Sequence, residues 1–212
     1  MIPDGPTLVV FAVAAFVVLI TPGPAVFYIV ARSIDQGRVA GVVSTLGVGA
    51  GALVHVGAAA LGVSALLMSS ALAFSVLKYL GAAYLIYLGV RKFLVRDHAE
   101  PPRSLERGTL ARAFYDGVIV NVLNPKTALF FFAFLPQFVD VSSGVVAAQI
   151  VFLGVLFVAM GILSDGSYAV VAGTFGNWLK RNHRVLRVQR YLAGTVFIGL
   201  GLATALSGSH RK

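Results

Sequence analysis

From Ala113 to Phe138 the chain is apolar almost without interruption, yet the middle of that run reads Asn124-Pro125-Lys126. A run of this length with so little charge is a membrane span. Pro125 lacks the amide hydrogen that would close its turn, and its ring presses on the turn before it, so the helix must kink or break there. Lys126 stands twelve or thirteen residues from either end of the run, roughly 18–20 Å at 1.5 Å per residue. A lysine stem snorkels only a few Å, so this ammonium requires a partner or a wet cavity. The carbonyls freed beside Pro125 and the Asn124 amide would be costly against lipid, which points to a substrate or ion site. The alternative is a packing kink whose lysine is satisfied by backbone carbonyls.

Composition carries the same reading to the whole chain. Of 212 residues, 58% are hydrophobic and 12% charged, and the mean hydropathy is +0.88. A soluble domain carries about 25% charged residues. A single all-α transmembrane domain over residues 1–212 is therefore expected, with Gly residues allowing close helix approach. Cysteine is absent, which removes disulfides, thiolate metal sites and cysteine nucleophiles. The net charge of +9 suggests nucleic acid, but thirteen of the seventeen Lys and Arg lie in three short segments between apolar runs. That is a topology signal rather than a binding stripe, and no nucleic-acid partner is expected. Met1 to Pro6 carry no basic n-region, so the first apolar run is expected to be retained as a span.

Six spans follow in order. The first, about Thr7 to Ala31, contains Thr21-Pro22-Gly23-Pro24, which no unbroken helix accommodates; a polar turn, Arg32 to Arg38, is expected after it. The second, Val39 to Met68, carries Gly47 and Gly51 on one face, suited to close helix contact, and His55, read as a hydrogen-bonded packing residue in preference to a proton carrier. The third, Leu72 to Leu94, includes Lys78 within snorkelling range of the surface. Residues 95–112 form a solvated cytoplasmic connector. The fourth span is the opening run, the fifth covers Val145 to Gly173, and the sixth Tyr191 to Ser207. Asp165 lies in the fifth, roughly 12 Å deep, where a carboxylate needs a partner or a proton. Basic residues mark the connectors after spans one, three and five, and those after two and four have none. Both termini are thus expected outside. A five-span alternative, with one run re-entrant, keeps fewer connectors on their preferred side.

The halves echo each other: Pro22 and Pro125 occupy similar places at an offset of 103 residues (125 − 22). Three spans per half make the second repeat inverted, so residues 1–94 and 113–212 read as two inverted three-helix repeats with spans one and four broken. Broken helices at matching positions of such repeats mark a midplane binding site.

These residues resemble the LysE/RhtB family of amino-acid exporters. The resemblance rests on Thr21-Pro22-Gly23-Pro24, on Gly37-Arg38 with Gly41, Gly47 and Gly51, on Gly81-x-x-Tyr84-Leu85-x-Tyr87-Leu88-Gly89, and on Asn124-Pro125-Lys126 with the Phe-rich run to Pro136-Gln137-Phe138. The chain departs from many relatives at Ala25, where they carry Asn. The resemblance implies a multi-pass protein of the bacterial inner membrane, exporting amino acids or analogues from the cytoplasm by proton antiport. The substrate-binding candidates are Thr21, Pro22, Gly23, Pro24, Asn124, Pro125 and Lys126, with Asp165 for proton coupling. The expected partners are a small-molecule amino acid, protons and membrane lipid, with room for a homo-oligomer. No cofactor, resident metal or catalytic residue is expected. Two alternatives remain: an exporter of another small solute or metal cation, for which Asp116 and Asp165 are a thin cage, and an intramembrane enzyme, for which no HExxH or GxSxG motif occurs.

Overall fold

The computed structural model describes residues 3–63, 71–94 and 108–181, with isolated positions from 191 to 205. The residues 95–107, 182–190 and most of the predicted sixth span lie outside the described set, as do the side chains of Lys78 and Tyr84. What is described is all-α, with no strand among the described residues.

Helix α1, Gly5–Ile20, opens on Asp4, whose side chain accepts from the Thr7 amide at 3.1 Å. It satisfies one of the donors every helix start leaves over. Helix α2, Pro24–Gln36, follows the joint Thr21 to Gly23, and the two helices are bent by 51°. Gly37 then turns the chain with φ +89°, a left-handed conformation that favours glycine. Helix α3, Arg38–Ala58, runs on into a π-helical turn, Ala59–Val63. Helix α4, Ala71–Leu94, has 24 residues, about 36 Å of helix and enough to cross a hydrocarbon core of about 30 Å.

Helix α5, Leu110–Val122, is capped by Thr109. Beyond the joint Leu123-Asn124 lies α6, Pro125–Leu129, which continues as a π-helical segment, Phe130–Phe134, and a 3-10 turn, Leu135–Phe138. The bend here is 48°. Helix α7, Val146–Arg181, is kinked at Phe175. Spans one and four are thus broken, as their prolines dictate, in a multi-pass helical membrane protein.

Two details differ from the sequence reading. The stretch after Ala31 is not a polar turn: α2 continues to Gln36 with Arg32 and Ser33 buried. The guanidinium can stay inside because Asp116 of α5 meets its Nη2 at 2.5 Å and the Tyr28 ring lies 5.6 Å away. The structural counterpart of Pro125 is also Pro24 rather than Pro22, an offset of 101 (125 − 24). Both open a half-helix, where the missing amide hydrogen would have had no helical partner anyway.

Close packing joins α3 to α5. A Cβ on Gly47 would run into the Phe114 carbonyl, and one on Gly51 would lie 2.6 Å from the Val118 carbonyl. On the facing helix, a Cβ on Gly117 would lie 2.7 Å from the Ser44 carbonyl. Glycine on both helices therefore permits backbone-to-backbone contact, which larger residues would prevent. The apolar core falls into two clusters. One is built from Phe11, Phe130, Phe131, Leu135, Leu153 and Phe157, with Phe130 and Phe157 stacked at 4.1 Å. The smaller one contains Ala25, Ile29, Val48 and Ala169.

Candidate functional site

A cavity of about 40 Å³ lies where the two clusters meet. Leu19, Phe157 and Val158 wall it from the first cluster, and Ala25 and Val48 from the second. Its polar lining is Thr45, Asn121, Asn124, Lys126, Thr127 and Asp165. The volume holds a few water molecules and is far below the roughly 300 Å³ at which small-molecule pockets begin. In this conformation the cavity is therefore too small for a ligand of that size.

The site follows from its prolines. Each proline leaves the carbonyl four residues earlier without its helical donor, and a donor from elsewhere takes each place. Pro22 frees Val18, whose oxygen accepts from the Thr21 amide at 3.2 Å. Pro24 frees Ile20, which accepts from the Tyr168 hydroxyl of α7 at 2.8 Å. Pro125 frees Asn121, whose oxygen accepts from the Asn124 amide and meets His55 Nε2 of α3, both at 3.0 Å. A carbonyl only accepts, so Nε2 is the donor in this bond. His55, buried and stacked on Phe131, is a packing histidine whose polar duty is the carbonyl freed by the kink.

Lys126 is 8% exposed. Its Nζ donates to the Thr21 carbonyl at 2.5 Å, at the carboxyl end of α1, where the helix dipole favours a cation. Gly23 makes room for the stem: a Cβ there would lie 3.2 Å from Lys126 Cδ. The Asn124 Oδ1 accepts from the Lys126 amide at 3.1 Å and caps the start of α6. Asp165 of α7, 7% exposed, faces the same cavity and lies within the electrostatic reach of Lys126.

Of the positions singled out in the sequence, Gly23, Asn124, Lys126 and Asp165 line the cavity. Thr21 takes part through its carbonyl, while its hydroxyl donates to Val17 within α1 at 2.7 Å. Pro22 is buried, Pro125 half-buried and Pro24 exposed; none of the three lines the cavity, and they act by shaping the breaks. Asn121, Thr127 and Thr45 line it without having been anticipated. The available signal was Asn121, an amide inside an apolar run one turn before Asn124. Asp116 is engaged by Arg32 and does not approach Asp165's cavity. Among the described residues no three His, Asp or Glu side chains converge as a metal cage would require.

Apolar helices, two of them broken beside a cavity that holds one buried cation and one buried carboxylate, define a membrane transporter. The chain belongs to the LysE type translocator family, whose profile matches residues 16–208. It is 32% identical over 197 residues to an uncharacterized membrane protein of Pseudomonas aeruginosa, covering 89% of this chain and 90% of that one. The homoserine/homoserine lactone efflux protein of Salmonella typhimurium is 28% identical over 186 residues, covering 88% of this chain and 89% of the relative. The leucine efflux protein of an Enterobacter strain is 26% identical over 205 residues, with 92% and 93% covered. No solved structure matches. The protein is thus a multi-pass membrane exporter.

Proposed function

We propose that the protein exports amino acids or close analogues from the cytoplasm by proton antiport. The observation that carries this is the opposed pair in one cavity, Lys126 on α6 and Asp165 on α7. A zwitterion matches it: the carboxylate goes to Lys126 and the amino end of α2 at Gly23 and Ala25, the ammonium to Asp165. A polyvalent ion would leave one of the two charges repelled. The relatives named for homoserine and leucine efflux support the class of solute. The substrate contacts are Gly23, Asn124, Lys126 and the Thr21 carbonyl, with Pro22, Pro24 and Pro125 holding the joints open. The inverted repeats 1–94 and 113–212, joined by the connector 95–112, would rock about this site to expose it to either side.

Energy comes from the proton gradient, with Asp165 as carrier. No GxxxxGK[ST] loop occurs in the chain, so nothing in its sequence suggests direct nucleotide use.

The test is an efflux and toxicity screen of amino acids, including homoserine and leucine, in cells that express the protein. Lys126→Ala is expected to abolish efflux while the protein stays in the membrane; normal efflux would remove Lys126 from the site. Asp165→Asn is expected to keep substrate exchange and lose uphill efflux. Uphill efflux at the wild-type rate in that variant, or wild-type efflux that survives a protonophore, would exclude the antiport step.

A further inference from the structure

We propose that Asn121 is a positioning residue for Lys126, setting the affinity for the carboxylate of the transported solute without binding it. The inference rests on the amino-acid reading above. Asn121 sits in the last turn of α5, and its side chain is almost fully buried. Its Nδ2 donates to the Val48 carbonyl of α3 at 2.7 Å. Its Oδ1 accepts twice, from Asn124 Nδ2 at 3.2 Å and from Thr127 Oγ1 at 2.8 Å. Val48 offers only an acceptor, so the amide can face only one way. That leaves Oδ1 toward the break. With its own Nδ2 committed to Asn121, Asn124 turns its Oδ1 to the Lys126 amide.

A chain of hydrogen bonds thus runs from α3 through Asn121 and Asn124 to the first turn of α6, which carries Lys126. The break needs it. The Leu123 and Asn124 amides still bond back to the Ile119 and Asn121 carbonyls, but Pro125 has no amide hydrogen and the Lys126 amide turns to the Asn124 side chain, so beyond Asn124 backbone bonds alone do not aim α6 relative to α5. Asn121 ties the last turn of one to the first turn of the other, and α3, packed on α5 through Gly47 and Gly51, is the fixed reference. Lys126 must then reach both the Thr21 carbonyl and the cavity from one backbone position. Loss of the tie lets α6 turn and moves the ammonium away from where a carboxylate docks.

A residue that acts through Lys126 should affect only solutes that have a carboxylate. Inside-out vesicles would be used to compare leucine with leucinamide, which keeps the ammonium and side chain. For Asn121→Ala, the KM for leucine is expected to rise about tenfold, the worth of one to two hydrogen bonds, with the maximal rate little changed. The KM for leucinamide should stay within about twofold, well under one hydrogen bond. Because the effect passes through Asn124 and Thr127, Asn121→Ala and Asn124→Ala together should cost clearly less than the sum of their separate effects. If Asn121→Ala fails to accumulate, Thr127→Val removes one of the two donors to the same oxygen, with about a threefold rise expected for leucine only.

Equal losses for both compounds would make Asn121 merely structural and overturn the assignment. Additive effects with Asn124→Ala would make it a direct contact and overturn it too. A wild type that moves no amino acid in the efflux screen, leucine included, would bring down the amino-acid reading, and this assignment with it. An active wild type with non-selective variants defeats the Asn121 role alone.

Discussion

The two broken spans bend by nearly the same angle, 51° and 48°, but divide the work in opposite ways. The first joint, Thr21 to Gly23, works with its backbone. Two prolines strip it of amide hydrogens, so it has carbonyls to spare and its side chains are small. The second joint, Leu123-Asn124, works with side chains. Asn121, Asn124 and Thr127 bond to one another across it, and Lys126 reaches over to the first. The acceptor-rich break is completed by the donor-rich one. That complementarity explains how Ala25 can stand beside the first joint, since no polar side chain is required of it there.

The breaks are also tied at a second point. Tyr28 and Arg32 of α2 hold Ala113 and Asp116 of α5, at 2.7 Å and 2.5 Å. Asp116→Ala would leave a nearly buried guanidinium without its carboxylate. The expected loss is about 3 kcal/mol, the lower end for a broken buried pair because Asp116 is one-third exposed. The thermal midpoint of the purified protein should fall clearly; an unchanged midpoint would mean that this ion pair does not hold the two spans together.

Asn124→Ala and Thr21→Val sharpen the contrast between side chain and backbone. Removing Asn124 costs a helix cap, about 1 kcal/mol, and frees the Lys126 turn, so transport should fall sharply. Thr21→Val removes a hydroxyl bonded within its own helix, worth under about 0.5 kcal/mol, and keeps the carbonyl that Lys126 uses. Transport should be close to wild type. If Thr21→Val were as damaging as Asn124→Ala, the first joint would be acting through its side chain and the comparison would fail.

Much of this was legible in the chain, because it depends on covalent chemistry and near neighbours. Proline cannot donate a backbone hydrogen bond, so Pro22, Pro24 and Pro125 break helices wherever those helices go. Lys126 lies too deep to snorkel, so it required a partner whatever the fold. Gly47 and Gly51, one turn apart, announced a close helix contact. The partners themselves were not legible. Thr21 and Lys126 are 105 residues apart, and Arg32 and Asp116 are 84 apart; which side chains meet across such gaps is decided by how the helices pack. Arg32 read as the start of a polar turn because a charge after an apolar run normally seeks water, and only the nearby Asp116 lets α2 carry it inside. In the sequence Asn121 is one polar residue in a long apolar run. Its role exists only because α3, α5 and α6 bring a carbonyl, an amide and a hydroxyl to one buried amide group, whose desolvation cost demands that every bond be made.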